Sequence, residues 1–147
     1  MVRASAWDVA AVLRARQPEL PAKKLHKLLY YCQGHHVAAF GEPLFAEGLA
    51  AWNMGPVVGS LWRREKDGAP PPPPVELTDA QLSTIDYVLD RYGGLTEHDL
   101  DNLTHSEAPW RRADRTRPPG GTARIELSWL RDYFSTDGAP ERRTTSA

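Results

Sequence analysis

Long apolar runs are missing from this 147-residue chain. None approaches the roughly 18 residues that a membrane span needs, so no membrane partner is expected. Cysteine occurs once, at Cys32. That excludes an intrachain disulfide framework and suits a reducing compartment. An excess of either charge is also missing: 18 Lys and Arg stand against 19 Asp and Glu, a formal net charge of −1. That balance argues against a dedicated nucleic-acid binder, although a local basic patch stays open. The N-terminal stretch "MVRASAWDVAAVLRAR" lacks a signal-peptide pattern, because Asp8 and Arg14 interrupt its apolar residues, and a cytoplasmic location is expected. There is no Cys-x-x-Cys pair and no His-Glu-x-x-His run, so no metal is expected. Gly93-Gly94 and Gly120-Gly121 lack the strand–glycine–helix context of a phosphate cradle. No cofactor is expected, and no internal repeat is visible.

What is present reads as a globular chain, 41% apolar and 25% charged. Ser5 starts a first helix, with Asp8 in its first turn, and Pro18 ends it. A second helix opens at Pro21 in its first turn and stops at Gly41. Leu25, Leu28, Leu29, Cys32, His36, Ala39 and Phe40 recur along it at helical spacing. Tyr30, Tyr31 and Val37 widen that face, as expected of a central helix with neighbours on several sides. Pro56 suits the first turn of a third helix that carries Val57, Val58, Leu61 and Trp62, with Arg63, Arg64 and Lys66 near its end. Thr78 with Gln81 forms a capping box for a fourth, and Thr96 caps a fifth. "APWRRADRTRPPGG" reads as a helical turn and a loop, and a last helix spans Leu127 to Ser135.

The resulting expectation is a mainly α fold: a single-domain bundle of about six helices with one short two-stranded β element. Gly48–Asn53 and Ala123–Glu126 are the candidate strands. Residues 1–136 form the expected domain, residues 69–75 a Pro-rich loop within it, and 137–147 a disordered tail. Five successive prolines, Pro70 to Pro74, exclude helix interior and central strand and predict a polyproline II spacer.

Catalytic signals are thin. Cys32 and His36 are four residues apart on a helix, as a nucleophile and its base would be. Both lie on the apolar face, where the plainer reading is a buried thiol and a core histidine. Charge is unevenly placed: Val75–Ala108 holds eight acids and one base, Arg91, a balance of −7. Such a segment reads as solvated helix faces or as a surface steering a basic protein. Basic residues cluster at Lys23, Lys24 and Lys27 and at Arg111, Arg112, Arg115 and Arg117.

From Lys23 to Arg64 the chain resembles the Panacea domain, the SocA-like or DUF4065 family. The resemblance rests on Lys24, Leu25, Lys27, Leu28, Leu29, Tyr30 and Tyr31, followed by Gln33 and Gly34. Gly41, Pro43, Leu44 and Phe45 continue it, then Ala51, Trp52, Gly55, Pro56 and Val57. Leu103, His105, Pro109 and Trp110 carry it further, and "IELSWLRDYF" resembles the family's closing helix. The resemblance implies a helical antitoxin of a toxin–antitoxin pair, with no catalytic residue and no cofactor. Its partner is a cognate protein toxin that it binds directly. A protease is a second implied partner, since one branch of the family acts as a proteolytic adaptor. The alternative function is a nucleic-acid-binding regulator of its own operon. Tyr30, Tyr31, Trp52, Met54, Gly55, Pro56, Trp62, Arg63, His105 and Trp110 are the candidate partner-binding or motif residues. Of these, Met54, Trp62 and Arg63 are expected on the outer rim of the Gly-Pro corner, with Trp52 and Trp62 on opposite sides of the turn. Aromatic residues and arginine are favoured interface anchors.

Overall fold

Ser5 and Asp8 close a reciprocal capping box: the Ser5 hydroxyl accepts the Asp8 N–H, and the Asp8 carboxylate accepts the Ser5 N–H. It starts α1 (Ala6–Arg16). The computed structural model describes residues 4–136, so the expected disordered tail from 137 lies outside the described residues. Asp8 also accepts the Val75 N–H through its other oxygen, at 3.0 Å. That bond ties the end of the proline run to α1.

α2 (Ala22–Phe40) carries the architecture. Pro21 stands at its N-cap, just outside the first turn where it was expected, and Gly41 ends it at φ 78° with its N–H on the Val37 carbonyl. Every residue from Leu25 to Val37 is buried. A helix covered all round needs neighbours on every side, and α1, α4 (Asp79–Tyr92), α5 (Glu97–His105) and α7 (Leu127–Thr136) supply them. Gly34 lets α7 approach: a Cβ there would lie 2.3 Å from the Phe134 ring. Phe40 departs from expectation. It lies beyond the covered stretch, is 49% exposed, and its ring rests on His36 at 4.7 Å.

The β element has three strands where two were expected. β1 (Leu49–Trp52) pairs antiparallel with β2 (Gly55–Val57) on one side and β3 (Ala123–Ile125) on the other. The unforeseen strand is the Gly-Pro corner. Trp52 opposes Gly55 across a two-residue hairpin loop, and Gly55 has φ 113°, a conformation open to glycine. Pro56 therefore sits in an edge strand, opposite Ala51, and not in the first turn of a helix. An edge strand tolerates its missing N–H. α3 (Gly59–Lys66) begins only after Val58.

The expected turn after Ala108 is a full helix, α6 (Ala108–Thr116), which packs Trp110 and Ala113 inward. The described residues thus form seven helices, not six, beside the small sheet. Between α3 and α4 the proline run forms neither helix nor strand. No helix among the described residues is long and apolar enough to cross a membrane.

Candidate functional site

Adjacent residues of a helix point about 100° apart, yet Tyr30 and Tyr31 converge on one group. Their hydroxyls donate to the two carboxylate oxygens of Glu107, each at 2.9 Å. Glu107 immediately precedes α6 and is 4% exposed. Burial pushes its carboxyl up to about 7, against the opposing pull of the two tyrosine bonds and the Arg91 charge. The tyrosine hydroxyls are held well above their ordinary range, by burial first and then by the Glu107 charge. Tyr31 stacks on Tyr92 at 3.8 Å, and the Tyr92 hydroxyl shares a 2.8 Å hydrogen bond with His35 Nε2.

The other polar groups between Leu25 and Val37 are also turned inward. His26 Nδ1 accepts the Val58 N–H at 3.1 Å, which fixes the entry to α3, and burial lowers its pKa to about 4. Gln33 latches the loop after the helix: its Nε2 donates to the Phe45 carbonyl, and its Oε1 accepts the N–H groups of Leu44 and Phe45. Lys27, 1% exposed, meets Asp101 at 2.8 Å. His36 bonds to Thr84 Oγ1 at 2.7 Å. Burial alone raises the Cys32 thiol, so the Cys32–His36 pairing lacks the lowered thiol that a nucleophile needs. No group of three His, Cys, Asp or Glu among the described residues is placed to hold a metal ion.

The candidate residues separate into two sets. Tyr30, Tyr31, Gly55, Pro56 and Trp110 are buried, and His105, half-buried, stacks on Trp110 at 4.1 Å. Trp52, Met54 and Trp62 are half-buried at the corner, and Arg63 is exposed. The two tryptophans do not flank the turn. They meet edge to face at 6.1 Å, with Trp62 also against His26 at 5.4 Å. At the start of α3, Gly59 comes close to Trp52: a Cβ on it would lie 3.5 Å from the indole ring. A trough of about 360 Å³ opens beside this pair, lined by Trp52, Ala50, Ser60, Arg63, Thr122 and Arg124 among others.

The charge clusters also change meaning in three dimensions. Lys24 donates to the Gly93 carbonyl at 2.9 Å, and Lys27 is buried on Asp101. Arg112 lies over the Trp129 ring at 4.3 Å, and Arg117 bonds Asp114 and Asn53. Of the eight acids in the acidic segment, Glu107 is internal, Asp101 holds Lys27 and Asp86 pairs with Arg16. Glu107 and Arg124 are the residues that sequence reasoning passed over. Glu107 had only its place before Ala-Pro-Trp to signal an N-cap, and Arg124 had only its place in a weak strand.

A family model described as antitoxin SocA-like, Panacea domain, matches residues 25–111. The chain belongs to this family. The matched span of the Panacea domain runs from the buried part of α2 into α6, and so contains Tyr30, Tyr31, the corner and Glu107. α1, β3 and α7 lie outside it. Neither the curated proteins nor the solved structures return a match. Family membership supports an antitoxin role and implies a toxin as partner.

Proposed function

We propose that this Panacea-domain protein is an antitoxin that neutralises its toxin by holding it, without chemistry of its own, and that the rim of the β1–β2 corner belongs to the contact. One observation carries the reading. The buried polar side chains Tyr30, Tyr31, Gln33 and His26 of the motif helix are bonded to groups within the fold, whereas Trp52, Met54 and Trp62 are half-exposed and Arg63 is exposed. Groups already satisfied inside a core position the fold, and surface tryptophan and arginine are the residue types that anchor partners.

The test is co-expression with the product of each adjacent gene. One product should arrest growth alone and be harmless beside this chain, and the two should co-purify. Rescue with neither neighbour refutes the reading. Toxin level in the rescued cells separates two routes: a steady level means occlusion, and a level that falls only when this chain is present means delivery to a protease. The rival reading, a regulator of its own operon, predicts a promoter shift with steep salt dependence. It is disfavoured by the inward engagement of Lys24 and Lys27.

A further inference from the structure

The trough beside the tryptophan pair has a specific electrostatic character. Arg63 comes from α3 and Arg124 from β3; both line the trough and both are exposed. Arg124 stands directly across from Ala50 in the strand register. No carboxylate lines the trough. Arg14 grips Glu65 with two bonds and Arg117 holds Asp114, whereas the exposed Arg111 and Arg115 of α6 have no ion pair among the described residues. Among the described residues Arg63 and Arg124 have no ion-pair partner. Arg124 also borders the adjoining hollow, which Glu126 and Glu47 line, and Glu47 is engaged there by the Ala6 N–H at 2.8 Å. Gly59 sets the position of Arg63. A Cβ on it would lie 3.2 Å from the guanidinium and 3.5 Å from the Trp52 ring, so the bare backbone leaves room for the arginine beside the indole.

From this geometry we infer that the trough clamps an acidic segment of the toxin, with an Asp or Glu carboxylate between Arg63 and Arg124 and an apolar neighbour against Trp52. The inference rests on the toxin-holding reading and names the chemistry of its contact. Arginine presents a planar fork that matches a carboxylate, and the Trp52 indole offers an apolar face in the same trough. A nucleic-acid phosphate track is the lesser fit. It needs a continuing basic stripe, and Lys24, Lys27 and Arg117 are engaged within the fold. The clamp also draws on both sides of the family match: Arg63 lies within residues 25–111 and Arg124 outside them.

The test uses the full chain, the variant Arg63→Glu/Arg124→Glu, and a charge-matched control, Arg111→Glu/Arg115→Glu, whose exposed arginines do not line the trough. Both variants should melt like the parent, since none of the four guanidinium groups is buried. A short fluorescein-labelled peptide of repeated Asp-Leu-Glu should shift the Trp52 indole resonance. Its affinity should fall about a hundredfold in the clamp variant, about tenfold per arginine, and little in the control. In cells the clamp variant should lose rescue while the control keeps it. If the parent rescues and the clamp variant rescues equally, the clamp is refuted and toxin holding stands. If the parent rescues with neither adjacent product, the holding reading fails and takes the clamp with it. If single-stranded oligothymidine binds the parent more tightly than the peptide and loses binding in the clamp variant, the trough is a nucleic-acid site and the inference is overturned.

Discussion

Replacing Glu107 by glutamine removes one ionisable group from the centre of the fold and leaves its shape. The folded carboxyl titrates near 7, whereas its ordinary value is 4.5. A carboxyl raised in this way binds its proton more tightly when folded. Its contribution is therefore fully present below 4.5 and is lost as pH rises through 7. The whole contribution is about 3 kcal/mol at most, and about 1.3 kcal/mol of it disappears between pH 6 and 8. The parent alone does not display this plainly, because His26 works in the opposite sense. Its pKa falls to about 4 on burial, so it favours the folded state more as pH rises through the ordinary range of histidine. The informative quantity is the gap between Glu107→Gln and the parent, in which the His26 contribution cancels. Glutamine can accept from one tyrosine and donate to the other, as the protonated acid does. The gap should therefore be small near pH 5 and should widen in favour of the glutamine variant by about 1.3 kcal/mol from pH 6 to 8, a few degrees in melting temperature for a chain of this size. Thermal unfolding followed by circular dichroism across that range measures it. A gap that stays constant with pH refutes the assignment of a buried, late-titrating carboxyl.

Gly34→Ala drives a methyl to 2.3 Å from the Phe134 ring. It should cost about 1–3 kcal/mol through overpacking between α2 and α7, and a denaturation midpoint equal to that of the parent would rule this out. Gln33→Ala unpairs two buried N–H groups and a carbonyl in the loop at Leu44 and Phe45, for a loss of about 3 kcal/mol. Fast amide exchange should appear at those two positions first. Asp101→Asn leaves the Lys27 ammonium buried without its counter-charge and should cost about 3 kcal/mol, read by urea unfolding, whereas an unchanged midpoint would mean that the pair is idle. Cys32 should resist iodoacetamide in the folded protein and react on unfolding, and Cys32→Ala should keep toxin rescue. Quick labelling of the native state would contradict the burial.

Much of the frame was legible because its signals are local. The stop at Gly41 and the caps at Ser5, Thr78 and Thr96 each depend on residues within a turn of one another. The wide apolar face from Leu25 to Val37 read correctly as a helix with several neighbours. Failures came where a local preference met a long-range partner. Pro56 suits a helix start by residue type, but pairing with β1 makes it an edge strand. The two tryptophans meet because the hairpin loop is only Asn53 and Met54, and no periodicity encodes that. Glu107 looked like one more surface acid because Tyr30 and Tyr31 lie 77 and 76 positions away along the chain. In the candidate site, Met54, Trp62 and Arg63 were read from residue type as the outer rim, with Trp52 expected across the turn, whereas Arg124 reached the trough only through strand register.

The inward bonding of α2 has a consequence for altering this protein. Because none of the α2 side chains that fix the frame lines the trough, its exposed and half-buried lining can vary without touching them. A library randomised at Ala50, Ser60, Arg63, Thr122 and Arg124 should return mostly foldable members with reassigned partners, as a socket can be recut without disturbing the block that holds it.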